Sequence, residues 1–293
     1  MKRVLSIQSH VVSGYVGNKA AVFPMQLHGW DVDVLNSVQF SNHTGYASFQ
    51  GERLSGSLLL QLLKGLQDND LLSADYLLTG YVGSETFLSS ILQVWQQLLI
   101  QKPHAKYVCD PVLGDQGRFY VPESLVQVYR EQVIPQATIV TPNAFELEQL
   151  TGCEPISTLE MAQRQCHVLH DMGPSIVFLT SFQPLGQDVM MILASQRTES
   201  RTQCWKLECP VLPGSFTGTG DLCAALILVH SANHPNDLAT VLEKVVNTVY
   251  AVLETTLEYA DKDDSTVKAR ELRLIQSKDV MEHPPKRFRA VLL

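Results

Sequence analysis

The chain has 293 residues, 45% of them hydrophobic and 18% charged, a globular composition that excludes wholesale disorder. Thirty acidic residues against twenty-two basic ones leave a net charge of −8. That balance speaks against a surface built to hold nucleic-acid phosphates and leaves room only for a local anion pocket.

The opening MKRVLSIQSHVVSG has two basic residues but no long apolar core, so it reads as a first strand and not as a secretion signal. Short β-rich runs then alternate with amphipathic stretches. Strands are predicted over Arg3–Ser9, Asp31–Val38, Tyr76–Thr79, Lys106–Cys109, Ala137–Thr141 and Ser175–Ser181. Helices are predicted over Asn18–His28, Ser55–Leu66, Thr86–Leu99, Glu123–Gln132, Ala144–Leu150 and Leu159–Met172. Leu58, Leu59, Leu62, Leu63 and Leu66 show the helical spacing directly. Val189–Ser195 and Gln203–Leu212 then form an antiparallel hairpin at the sheet edge, and one long helical region runs from Asp221 to about Tyr259. Residues 260–265 read as a solvated linker, Glu271–Gln276 as a last short ordered segment, and Lys286, Arg287 and Arg289 as a solvated basic tail. The fold class is α/β, a mostly parallel central sheet with helices on both faces. No repeat or composition shift divides residues 1–293, so one domain is expected.

The six cysteines contain no CxxC pair, which argues against a zinc site or a disulfide framework and for reduced thiols in the cytoplasm. No apolar run approaches the roughly 18 residues of a membrane span.

Open parallel sheets bind ligands outside the carboxyl ends of their strands. Polar and glycine residues recur at those ends: Ser9, His10 and Gly14; residues 36–46; Gly80 and Tyr81; Asp110 to Asp115; Thr141 to Asn143; Thr180 and Ser181. The turn Gly214 to Asp221 carries glycines at 214, 218 and 220. Its backbone N–H groups at a helix start make an anion site. Asp221 fits either a helix cap or a general base there. Asp110, Asp115 and Glu146 fit either turn and surface roles or a magnesium–phosphate site. The spacing of Gly14, Gly17 and Lys19 is wrong for a P-loop, and Cys223 replaces the third glycine of a dinucleotide fingerprint.

Several stretches together resemble the pyridoxal kinases of the ribokinase-like superfamily. They are SIQSHVVSGYVGN at 6–18, NSVQFSNHTGY at 36–46, DPVLGD at 110–115, TPNAFE at 141–146, TS at 180–181, GTGD at 218–221 and ELRLIQS at 271–277. GTGD marks only the superfamily, whereas SIQSHV with NSVQFSNHTGY is specific to the vitamin B6 kinases. The resemblance implies a three-layer α/β/α domain, a homodimer, and phosphate transfer from ATP to the 5′-hydroxymethyl group of pyridoxal, pyridoxine or pyridoxamine. It implies Asp221 as base and the Gly218, Thr219 and Gly220 amides as anion hole. It places Ser9, Val16, His43, Thr44, Tyr81 and Tyr120 around the substrate. Asn143, Glu146, Thr180, Ser181, Leu212, Pro213, Gly214 and Thr219 would meet ATP. Asp115 and Glu146 would face Mg²⁺, and Asp110, Thr141 and Thr180 a monovalent cation such as K⁺. The rival functions are a hydroxymethylpyrimidine kinase sharing the fold and GTGD, and a binder of pyridoxal phosphate or ATP without turnover.

Overall fold

Alternation of side chains across one sheet organises the molecule. The computed structural model describes residues 2–260 and 266–293. Its strands are β1 (Arg3–Val11), β2 (Asp31–Phe40), β3 (Gly51–Arg53), β4 (Tyr76–Thr79), β5 (Lys106–Cys109), β6 (Gly114–Asp115), β7 (Arg118–Phe119), β8 (Ile139–Val140), β9 (Ile176–Phe182), β10 (Val189–Arg197), β11 (Thr202–Pro210) and β12 (Val291–Leu292). Its helices are α1 (Asn18–Leu27), α2 (Gly56–Asp68), α3 (Glu85–Gln101), α4 (Ser124–Val128), α5 (Ala144–Thr151), α6 (Leu159–Asp171), α7 (Thr219–Asn233), α8 (Leu238–Tyr259) and α9 (Lys278–Glu282).

Ten strands form one sheet in the order β12-β11-β10-β9-β8-β5-β4-β1-β2-β3, while β6 and β7 pair separately. The six strands from β9 to β2 run parallel, and both flanks are antiparallel. Successive residues on the central strands point to opposite faces. Leu77, Tyr107, Cys109, Val177 and Leu179 pack with α2, α3, α5 and α6. Their neighbours Leu78, Val108 and Phe178 pack with α1, α7 and α8. The three-layer α/β/α arrangement follows.

The expected helix from Asp221 to Tyr259 is two helices. His234 ends α7, Pro235 cannot donate to a continuing ladder, and the Asp237 side chain accepts from Thr240 N to start α8. The stretch Glu123–Gln132 is helical only as a short α4 followed by a π-helical turn, Tyr129–Val133. Glu271–Gln276 is a turn segment, tied to the sheet side by a bridge from Glu271 to Thr217. Of the linker reading, residues 261–265 lie outside the described residues.

The basic tail is exposed, as expected, but it is also tethered. β12 pairs with β11 and replaces the hairpin as the sheet edge, and β3 adds an unexpected strand at the opposite edge. Arg287 pairs with Glu254, and Arg289 with Glu243 at 2.8 Å. Asn247, 2% exposed, anchors the tail. Its Oδ1 accepts from the backbone N–H of Arg287 and Phe288, and its Nδ2 donates to the Phe288 carbonyl. Asn247→Ala strands these backbone groups and is expected to lower unfolding stability by about 1–3 kcal/mol. Urea titration measures this, and an unchanged midpoint would count against the anchor.

Candidate active site

The carboxyl edge of the parallel strands gathers the residues with chemistry. β2 carries one more residue than β1 there: Gln8 faces Asn36 and Ser9 faces Val38, which leaves Ser37 unpaired. Ser37 Oγ donates to the Tyr81 carbonyl at 2.7 Å. Beyond the bulge, Val38 and Phe40 join Val11 and Val16 in an apolar cluster, with Tyr81 packed against it. Behind it lies a buried polar chain. Gln8 donates to Ser6 Oγ, Ser6 donates to Asn18 Oδ1, and Asn18 Nδ2 donates to the Leu35 carbonyl and Asn36 Oδ1.

Ser9 sits at the bulge and is nearly buried. Gly17 lies directly against it, because a Cβ at 17 would come within 2.0 Å of the Ser9 carbonyl oxygen. The Gly17 backbone amide in turn favours the ionised form of the nearby Asp221 carboxylate. One glycine therefore joins the β1 end to the start of α7.

Helix α7 is buried without a break from Leu222 to Ser231, so its N-terminus is fixed from inside the core. Gly218, in the left-handed region at φ 90°, is its N-cap, and no side chain caps it. The N–H groups of Thr219, Gly220 and Asp221 in this first turn have no i−4 acceptor. Asp221 belongs to that first turn, and the cap reading of it is set aside.

Asp110, 5% exposed, ends β5 and accepts from Thr141 Oγ1 at 3.1 Å. Gly220 lies beside it: a Cβ at 220 would be 3.7 Å from Asp110 Oδ2. Burial and the nearby Asp221 push the Asp110 carboxyl up to about 8. Burial pushes Asp221 up to about 6 against the opposing Gly17 hydrogen bond. Glu146 is held well above its ordinary value by burial and by Asp110. It closes a capping box on α5 with Asn143, and its oxygens accept from Leu113 N at 3.0 Å and Asn143 N at 2.9 Å. Asn143 Nδ2 also donates to the Gly114 carbonyl at 2.8 Å, which holds the β6–β7 flap to α5.

Among the described residues, no lysine, arginine or histidine forms an ion pair with Asp110, Asp115, Glu146 or Asp221. Carboxylates left without a counter-charge fit cations supplied from solution. No ready cluster of three His, Cys, Asp or Glu ligands is formed among those residues.

The remaining predicted residues divide into two groups. Thr180 donates to the Pro142 carbonyl at 3.3 Å, beside Thr141, and Ser181 follows it on β9. Thr44, Pro213 and Gly214 are exposed, Leu212 is half-buried, and Tyr120 on the flap is 57% exposed. His43 is buried, with both ring nitrogens engaged. Gly45 N donates to Nδ1 at 3.1 Å, and Nε2 lies 3.2 Å from Glu271 Oε1. Burial favours protonation of Glu271, but hydrogen bonds from His43, Tyr15 N and Tyr46 outweigh it and hold the carboxyl below its ordinary value. Motif spacing missed the Gly17, Asn18, Tyr15 and Tyr46 contacts. Glu271 was marked only as the first residue of ELRLIQS.

A family model described as phosphomethylpyrimidine kinase matches residues 72–266. Similar proteins include the pyridoxal kinase of Arabidopsis thaliana, 47% identical over 292 residues, 98% of this chain and 94% of that one. The pyridoxal kinase of Homo sapiens is 43% identical over 299 residues, 96% of each. Pyridoxal kinase from Leishmania donovani in complex with ADP and pyridoxamine matches with a TM-score of 0.94 at 34% identity, over 100% of both chains. The mostly parallel sheet with helices on both faces is thus that of a ribokinase-like kinase. The family-model match begins after NSVQFSNHTGY, whereas the full-length relatives span it. The chain belongs to the pyridoxal kinase family.

The raised carboxyls carry a stability signature. A folded-state value above the unfolded one means that the folded state holds its proton more tightly. The stabilisation is present at acid pH and is lost as pH rises through the folded value. Without divalent ions or K⁺, the thermal midpoint is expected to fall from about pH 4, the ordinary carboxyl value, up to about pH 8, most steeply below about pH 6 where both Asp110 and Asp221 contribute. Asp110→Asn should flatten that fall, as read by scanning calorimetry. A wild-type slope retained in the variant would remove Asp110 as its source.

Proposed function

We propose that the protein transfers the γ-phosphoryl group of ATP to the 5′-hydroxymethyl oxygen of pyridoxal, pyridoxine or pyridoxamine, giving the 5′-phosphate and ADP. The observation that carries this reading is the Asp221 carboxylate in the first turn of the buried helix α7, among backbone N–H groups that have no i−4 acceptor. The acceptor alcohol is a weak nucleophile and needs one base within hydrogen-bond reach. Asp221 takes the hydroxyl proton as the oxygen bonds to phosphorus and the bond to ADP breaks. The Thr219 and Gly220 amides, with Gly218 shaping the turn, face the phosphoryl oxygens, where charge develops.

Ser9, Thr44 and Tyr120 supply polar contacts to the pyridine ring, and Val16 and Tyr81 supply its apolar wall. His43 serves as a wall and not as a hydrogen-bond donor to the ring, since its nitrogens are already engaged. Asn143, Thr180, Ser181 and Thr219 face the ATP phosphates, and Leu212, Pro213 and Gly214 the adenine. Asp115 would hold Mg²⁺, with Glu146 reaching it through the lone pairs its backbone donors leave free. Asp110, Thr141 and Thr180 would hold K⁺. When bound, the divalent ion neutralises phosphate charge and the monovalent ion offsets the buried carboxylates. We read residues 1–293 as one kinase domain working as a cytoplasmic homodimer. Among the described residues no helix is long and apolar enough to cross a membrane.

Incubation with Mg-ATP, K⁺, pyridoxal and hydroxymethylpyrimidine, with products identified by mass spectrometry, tests the reading. Pyridoxal phosphate is the expected product, and a pyrimidine phosphate alone would overturn the substrate assignment. Asp221→Asn should lower kcat by about 10²–10⁴-fold while leaving ATP and pyridoxal bound. In the wild type, kcat/KM should rise with pH up to about 6 and then level, because the base must be ionised. A profile flat from pH 5 upward would remove Asp221 as the titrating base.

A further inference from the structure

Glu271 opens the ELRLIQS stretch, far in sequence from every other site residue, yet it is 8% exposed within the site wall. Its carboxylate gathers three donors from two other loops. His43 Nε2 lies 3.2 Å from Oε1, Tyr46 Oη donates to the same oxygen at 3.1 Å, and Tyr15 N donates to Oε2 at 3.0 Å. Because Gly45 N donates to His43 Nδ1, the imidazole proton belongs on Nε2, aimed at Glu271. The His43 and Tyr46 rings also pack at 4.9 Å.

The backbone of Glu271 makes a second attachment. It bridges to Thr217, immediately before the N-cap of α7. Gly218 fits closely there, since a Cβ would lie 2.0 Å from the Tyr15 carbonyl oxygen. Gly14 is equally confined, by the Glu271 carboxylate itself. One residue therefore holds the loop after β2, the loop after β1 and the turn that leads into the phosphoryl-binding amides.

We propose that Glu271 is a positioning residue: through His43, Tyr46 and Tyr15 it fixes the loops that hold the acceptor alcohol against the glycine turn that receives the phosphoryl group. Transfer needs the reacting atoms at near-attack separation, and small misplacements are costly. Glu271 touches neither reactant in this scheme. Its effect runs through the two walls it joins. The proposal rests on the pyridoxal kinase reading for its substrate, but not for its geometry.

The test is steady-state kinetics of Glu271→Gln, which keeps the shape, removes the charge and places an amide where three donors converge. The expected result is a loss in kcat/KM for pyridoxal of roughly tenfold or more, with the KM for ATP within about twofold of wild type. Histidine nitrogen NMR should show a proton on His43 Nε2 in wild type and a mixed tautomer in the variant. An unchanged kcat/KM for pyridoxal would overturn the proposal. So would an equal rise in KM for both substrates, which marks general loosening. Should Glu271→Gln fail to fold, Tyr46→Phe removes one donor and keeps the ring. A smaller loss, again confined to pyridoxal, is then expected, and no loss overturns the proposal. Wild-type assays with pyridoxal and hydroxymethylpyrimidine are run alongside. A wild type that phosphorylates only the pyrimidine sinks the substrate assignment, and the Glu271 comparison is then read with that alcohol. If neither alcohol is phosphorylated, pyridoxal dissociation constants of the two proteins decide it.

Discussion

Carboxylates packed together without a basic partner are the constraint on which this site depends. Asp221 raises the cost of ionising Asp110, and Asp110 raises that of ionising Glu146. Such crowding can be relieved by protonation or by an arginine. Here no basic side chain among the described residues pairs with these groups, and neutral donors offset only part of the cost: Leu113 N and Asn143 N on Glu146, and Thr141 Oγ1 on Asp110. Those donors orient the groups and leave them able to take up a cation or a proton.

Holding such a crevice open requires a stiff frame. The parallel strands supply it from one side, packed on both faces. Helix α7 supplies it from the other, apolar all round and therefore lodged within the core. Its start is held by that buried body, in contrast to the exposure of Thr44, Tyr120 and Pro213.

Much of this was legible in the sequence, for identifiable reasons. Central strands such as Tyr76–Thr79 and Lys106–Cys109 agree with their predicted bounds because their two buried faces make short apolar runs. Asp110, Thr141, Gly220 and Asp221 were singled out by their place after strands or in a glycine turn, and the structure brings them together. Long-range satisfaction was not legible. Nothing local says that Asn247 holds Phe288, or that Glu271 reaches His43. Arg287 and Arg289 are exposed as expected, but their ion pairs were hidden because Glu254 and Glu243 lie dozens of residues away in the chain. The break at His234 and Pro235 is the exception. Its Pro–Asn–Asp signal was present, and the apolar periodicity on either side hid it.

Ser37 gives the sheet two reading frames. Up to Gln8 and Asn36, β1 and β2 sort their side chains between helical layers, and Leu35 belongs to the packed interior. One extra residue then changes the parity of β2, so that Val38 and Phe40 line up with Val11. The same strand packs into one apolar cluster in its first half and into another in its second, and the switch occupies one residue. Pocket and core are therefore separable in heredity as well as in space. Substitutions after the bulge can reshape the ring pocket without disturbing the layer that folds the domain, whereas loss of Ser37 would bring the second frame back into the first and close the pocket on itself.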